Sequence, residues 1–210
     1  MSRIRIGVMV SGHGRGSNMQ ALIDACNESR IDGQVAVVIG TKSGAPAMER
    51  AKEQGIPVVE ASPKTFADDE AYANRLLEIL AEYEVDLLCL AGYMRILPLK
   101  LVSEYRWRIM NIHPGLIPLF CGKGMYGGHV HQAAVDYGVK VSGCTVHFVD
   151  EEYDNGPIII QRVVPVEEGD TADDLAARVL VQEHIAYPEA VQLFAQGRLK
   201  VEGRIVHVLP

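Results

Sequence analysis

The chain switches repeatedly between two hydrophobic periods. Residues 3–10 alternate and then run apolar before breaking at Ser11-Gly12-His13-Gly14-Arg15-Gly16, the pattern of a buried strand entering a glycine-rich turn. Directly afterwards Met19, Leu22, Ile23 and Cys26 fall at i, i+3, i+4 and i+7, one apolar helical stripe, and Ser17 with Gln20 has capping-box spacing. The alternation repeats with a strand at 34–39, a helix at 46–54 carrying proline in its first turn, and a short strand at 57–59. Residues 69–83 place Tyr72, Leu76, Ile79, Leu80 and Tyr83 on one stripe, and 85–90 is an apolar strand stopped by Ala91-Gly92. Leu101 and Val102 mark a short helix before a strand at 107–112.

Strands alternating with helices of this length call for a parallel sheet with helices on both faces. The second half departs from that plan. Two β-rich runs, 140–149 and 157–166, flank Asp154-Asn155-Gly156 and read as a hairpin that extends the sheet with an antiparallel edge. A last helix, 171–196, closes the domain. The expected fold is α/β, a three-layer αβα arrangement around an open, mostly parallel Rossmann-like sheet. With 210 residues and no repeat, low-complexity tract or linker, the expectation is a single domain, 1–210.

A chain that is 48% hydrophobic and 22% charged is neither disordered, collagenous nor a coiled coil. Its formal charge of -7 has the wrong sign for binding nucleic acid through phosphate neutralisation. The N-terminal apolar run is too short for a signal peptide, and no stretch approaches the roughly 20 apolar residues of a membrane span, so the reading is a soluble cytoplasmic protein. Cys26, Cys89, Cys121 and Cys144 lie far apart and read as reduced, mostly buried thiols. The acidic clusters Asp150-Glu151-Glu152 and Glu167-Glu168-Gly169-Asp170 read as solvated turns.

Three features bear on chemistry. At 12–18, backbone N–H groups and a helix dipole converge where strand meets helix, a shape suited to a phosphate. No Gly-Lys-Ser/Thr follows, and the second strand ends Ile39-Gly40-Thr41-Lys42 without an acid for a ribose diol, so a phosphate monoester fits better than a dinucleotide, beside the plainer reading of a tight turn. In Asn111-Ile112-His113-Pro114 the amide and the imidazole are two apart, share one face of a strand, and stand where proline ends it. An amide donor beside an imidazole is suited to a developing oxyanion and a moving proton; a hydrogen-bonded strand terminus is the alternative. Asp154 reads as turn chemistry, yet a carboxylate close to His113 would raise the histidine pKa. His129 and His131 have no third ligand at sensible spacing, which argues for structural roles and no metal.

Six ordered motifs resemble one family: Ser11-Gly12 with Gly16-Ser17-Asn18; Ala91-Gly92-Tyr93-Met94-Arg95-Ile96-Leu97; Asn111-Ile112-His113-Pro114 with Leu116-Ile117-Pro118; His147-Phe148-Val149; Asp154-Asn155-Gly156-Pro157; and Gln182-Glu183-His184. The chain is similar over residues 3–199 to the phosphoribosylglycinamide formyltransferases, the folate-dependent transferases of purine synthesis. The resemblance implies the formyltransferase fold, with a phosphate-binding half at 1–100 and a folate and catalytic half at 101–210. It implies that Gly16, Ser17 and Asn18 hold the ribonucleotide phosphate, with Glu183 near the ribose. Met94, Arg95, Ile96, Leu97, Asn111 and the loop 150–154, including Asp150, would line the folate pocket. Catalysis falls to Asn111, His113 and Asp154: the glycinamide amine attacks the formyl carbon of 10-formyltetrahydrofolate, Asn111 and protonated His113 stabilise the oxyanion, and Asp154 keeps His113 protonated. Small-molecule substrates, no metal, no nucleic acid, no membrane and a monomer or homodimer complete the expectation.

The sequence departs from the family pattern at the first loop, where His13, Gly14 and Arg15 lengthen it, at Leu180, where some members have glutamine, and at Asp69, where many have a basic residue. The nearest rival, formyltetrahydrofolate deformylase, shares the Asn and His pair but carries an additional amino-terminal domain. Methionyl-tRNA formyltransferase carries an extra carboxyl-terminal one. A non-catalytic phosphate-ligand binding module is the rival of a different class.

Overall fold

A computed structural model describes residues 3–12 and 14–210. The strands are β1 (Ile4–Val10), β2 (Gly33–Gly40), β3 (Val58–Glu60), β4 (Leu87–Leu90), β5 (Ile109–His113), β6 (Val141–Phe148), β7 (Ile158–Pro165), β8 (Leu199–Glu202) and β9 (Ile205–Val208). The helices are α1 (Ser17–Asn27), α2 (Pro46–Glu53), α3 (Asp69–Glu82), α4 (Leu99–Glu104), α5 (Gly128–Tyr137) and α6 (Ala172–Ala195). One sheet runs in the order β3-β2-β1-β4-β5-β6-β7-β9-β8. β3 through β5 are parallel neighbours, β6 and β7 run antiparallel, and β9 adds to β7 in parallel.

Both faces of the central strands are buried, which explains their nearly unbroken apolar runs. Ile6, Val8, Leu87 and Cys89 face a layer formed with Met19 and Leu22 of α1 and with Leu175, Val179 and Tyr187 of α6. Met9, Leu88 and Leu90 face the opposite layer with Tyr72, Leu76 and Leu80 of α3 and Leu101 of α4. The helical stripes read from the sequence are these faces: Met19, Leu22, Ile23 and Cys26 are all buried.

Four details differ from the sequence-based expectation. Gly16, in the left-handed region at φ 72°, is the N-cap of α1, so Ser17 is already helical and makes no cap, and Gln20 bonds Asp24 and Gln54 instead. Trp107 has φ 57°, a conformation no strand tolerates, so β5 begins at Ile109. The histidine pair 129 and 131 stands in the first turn of a helix, as its spacing suggests, but that helix, α5, is not among the elements read from the hydrophobic pattern. Helix α6 does not close the domain: Leu199 to Val208 forms a hairpin turning at Gly203, φ 60°, and extends the sheet to its far edge.

Candidate active site

The parallel strands place their carboxyl ends on one edge, and the order reverses beside β1, where α/β sheets hold ligands. A cavity of about 650 Å³ opens there, lined from the ends of β1, β4, β5 and β6, from α6, and from residues 122–128. Asn111, His113, Asp154, Ser17, Asn18, Glu183, Met94, Arg95, Ile96, Leu97 and Asp150 all line it. Gly16 stands behind the loop, where a Cβ would meet the Cβ of Ala47 at 2.8 Å. His13, a member of that loop, lies outside the described residues. Neither Lys64 nor Asp69 reaches the cavity wall.

At one end of the cavity α1 and α6 meet. The Asn18 amide donates to Glu183 Oε2 at 2.6 Å, while Asn18 Oδ1 is buried without a partner among the described residues. Burial raises the Glu183 carboxyl above its ordinary value, only partly opposed by the Asn18 amide. Leu180 lines the same wall, an apolar contact where an amide would offer hydrogen bonds.

At the other end the chain after β4 turns through Gly92, φ 81°, and exposes Met94 and Ile96. The Ile96 N–H donates to the Tyr153 hydroxyl at 3.2 Å, tying this segment to the loop after β6. Asp150 receives the Asn155 amide at 2.7 Å and the Glu152 N–H at 3.0 Å, so it organises that loop, whereas Glu151 and Glu152 are exposed as expected of a solvated turn.

Between the two ends lies the polar cluster. β5 presents Asn111 and His113 to one carboxylate: Asn111 Nδ2 donates to Asp154 Oδ1 at 3.4 Å, and His113 Nδ1 lies 3.5 Å from Asp154 Oδ2. Asp154 is therefore more than turn chemistry, although it does sit in a turn at φ 50°. Its other support is the Gly122 N–H, 2.9 Å from Oδ2. Burial raises the Asp154 carboxyl, but His147, His113 and the Gly122 N–H outweigh it and hold it below the ordinary carboxylate value.

His113 moves the other way from expectation. Its ring is buried, and desolvation lowers its pKa below the ordinary imidazole value against the opposing pull of Asp154 and of the Phe120 carbonyl. Nε2 donates to that carbonyl at 3.0 Å, since a carbonyl only accepts. Nε2–H thus points at the Phe120 carbonyl, and Nδ1 points at the Asp154 carboxylate.

His147, seen in the sequence only as part of a family motif, is a direct neighbour of the cluster. It pairs with Asn111 across β5 and β6, donates from Nδ1 to the Phe148 carbonyl at 2.8 Å, and accepts from Asn111 Nδ2 at 3.2 Å, which fixes the amide's orientation. His131, also on the wall, is buried, and burial lowers its pKa, with His113 adding to the effect. His129 stays exposed against Tyr126. The register that joins Asn111 to His147 has no signal in the sequence; the glycines at 122, 124, 127 and 128 were the visible sign of the loop on the cavity wall.

Residues 4–191 match the family described as Formyl transferase. The chain belongs to the formyl transferase family. Within that family it is 43% identical to the phosphoribosylglycinamide formyltransferase of Escherichia coli (strain K12), over 94% of this chain and 90% of that protein. The crystal structure of glycinamide ribonucleotide transformylase 1 from Symbiobacterium toebii superposes with a TM-score of 0.91 at 48% identity, covering 99% of this chain and 94% of that one. A formyltetrahydrofolate deformylase from Pseudomonas syringae pv. tomato shares the fold at TM-score 0.85 but only 26% identity, and this chain spans 66% of it. Among the described residues no helix is long and apolar enough to cross a membrane.

Proposed function

We propose that this formyl transferase moves the formyl group of 10-formyltetrahydrofolate onto the glycinamide amine of 5'-phosphoribosylglycinamide, a step of purine synthesis. The observation that carries the reading is the convergence of Asn111 and His113 on Asp154 inside one cavity of about 650 Å³ that Asn18 and Glu183 line as well as Met94 and Asp150. Support for this acceptor comes from the 43% identity to the Escherichia coli enzyme across nearly both full lengths.

The ribonucleotide phosphate sits on Gly16, Ser17 and Asn18 at the α1 N-terminus, with Glu183 beside the ribose. The folate lies against Met94, Arg95, Ile96, Leu97, Asn111 and Asp150. This divides the single domain into a phosphate-binding half, 1–100, and a folate and catalytic half, 101–210. The amine nitrogen attacks the formyl carbon, a C–N bond forms, and charge develops on the formyl oxygen. Asn111 Nδ2 donates to that oxygen. The amine's proton passes to Nδ1 of His113, creating an imidazolium held between Asp154 and the Phe120 carbonyl and adding positive charge beside the oxyanion. Collapse breaks the bond from the formyl carbon to the folate N10, which takes the proton.

The test is turnover of 10-formyltetrahydrofolate by purified protein with and without the ribonucleotide, alongside His113→Ala and Asn111→Ala. Turnover only with the ribonucleotide, abolished in His113→Ala, is expected. One oxyanion donor is worth about 2.7–4 kcal/mol, so Asn111→Ala loses roughly two to three decades of kcat. Turnover without the ribonucleotide would make the protein a deformylase, and binding without turnover would make it a binding module.

A further inference from the structure

Phe120 is not on the cavity wall, yet its backbone reaches the reacting cluster. Its carbonyl takes the His113 Nε2 hydrogen at 3.0 Å, and two residues later the Gly122 N–H grips Asp154 at 2.9 Å. This short stretch therefore touches both members of the proton-carrying pair. Phe120 achieves it at φ 47°, a left-handed backbone that a bulky aromatic residue rarely adopts, so something outside the turn has to hold it there.

The side chain supplies the hold. The Phe120 ring is half-buried, packs against the hydrophobic layer that includes α1 and α6, and meets the ring of Tyr137 edge-on, centroids 5.9 Å apart and planes at 70°, the arrangement aromatic quadrupoles favour. Tyr137 is the last residue of α5 and remains 80% exposed, so a part in the core does not explain the contact. It is anchored on a helix that itself packs against α6.

We infer that Tyr137 and Phe120 form a latch that fixes the tautomer of His113: the ring contact holds the left-handed turn, the turn holds the carbonyl on Nε2–H, and Nδ1 is thereby reserved for the proton shared with Asp154. Both are positioning residues that act through His113. Without the carbonyl, Nε2–H loses its partner and the competing tautomer, with hydrogen on Nδ1 facing the carboxylate, gains population and blocks the proton's destination. The catalytic part of this inference rests on the proposed function; the tautomer part does not.

The experiment compares the full-length protein with Tyr137→Ala, Tyr137→Phe and Phe120→Gly by 15N-resolved NMR of the histidine rings and by steady-state kinetics. In the parent, His113 shows the Nε2–H signature. Tyr137→Ala shifts it toward a mixture, with kcat lower by roughly two- to tenfold, the size of one net hydrogen bond, and KM for both substrates unchanged. Tyr137→Phe keeps the ring and restores both readouts; Phe120→Gly, which removes the ring and permits the positive φ, reproduces the Tyr137→Ala behaviour. An unchanged His113 signature in Tyr137→Ala, or a defect that Tyr137→Phe fails to restore, overturns the latch. A parent protein without formyl transfer whose tautomer still shifts in Tyr137→Ala keeps the latch and discards the function.

Discussion

Glu183 is a carboxyl held where water hardly reaches, 7% exposed, with the Asn18 amide as its one hydrogen-bond donor among the described residues. Its folded pKa is raised by burial, so the unfolded chain ionises it near the ordinary 4.5 while the folded chain resists. Stability is therefore lost as pH climbs from about 4.5 through the raised folded value, and the deficit persists above it. Glu183→Gln removes the ionisation while leaving an acceptor for Asn18. The variant is expected to denature at a higher urea concentration than the parent at neutral pH, with no advantage in acid below about pH 4, and to raise KM for the ribonucleotide. Equal midpoints at neutral pH would show that the carboxylate is solvated after all. What the sequence revealed at this scale was spacing: Asn111 and His113 share a strand face because strand period is two. It did not reveal partners 43 residues away, such as Asp154 for Asn111, nor burial, and burial reverses the expected direction of the His113 shift.

The entry to α1 shows why a phosphate-shaped loop was legible while its cap was not. The glycine run marks the turn, but whether Gly16 or Ser17 is the N-cap depends on which residue takes the positive φ, and it is Gly16 at 72°. Two independent penalties fall on a side chain there. A left-handed residue with a Cβ costs about 1–2 kcal/mol, and the Cβ would press on the Cβ of Ala47 in α2 at 2.8 Å, a rigid methyl that cannot rotate away. Gly16→Ala is expected to lower Tm and to raise KM for the ribonucleotide, with kcat at saturation near the parent value, since the Asn111 cluster is untouched. Unchanged Tm and KM would remove Gly16 from the phosphate site. The opposite case is the final hairpin, Leu199 to Val208 around Gly203, whose two short strands lie half-exposed at the sheet edge and so alternate too weakly to stand out beside the long helix before them. The start of β5 was masked by Trp107, whose β-forming side chain sits on a backbone that is not extended.

Over the whole molecule the sheet plan followed from alternation alone, whereas the titration behaviour follows from which histidines the fold buries. His113, His131 and His184 are all held below the ordinary imidazole value, chiefly by desolvation. The unfolded chain protonates these rings as pH falls through about 6.5, but the folded chain does not until lower pH, so the unfolded state binds more protons and stability drops across that interval. Asp154 and Asp170 act lower down. Their folded values lie under the ordinary 3.8, that of Asp170 at about 2 because of Arg178, so the stability they contribute is lost as pH falls through that range. Glu183 runs counter to both groups, its deficit disappearing as it protonates. Asp154 and Asp170 titrate below 3.8 and Glu183→Gln removes the opposing carboxyl, so in that variant the first acid loss belongs to the histidines. Its urea midpoint is expected to be highest near neutrality and to decline between about pH 7 and 5, with a slope bounded by about 1.4 kcal/mol per pH unit for each proton of difference. A midpoint flat across that interval in Glu183→Gln would mean that the three rings take up protons in the folded state as readily as in the unfolded one, which removes burial as the cause of their shift.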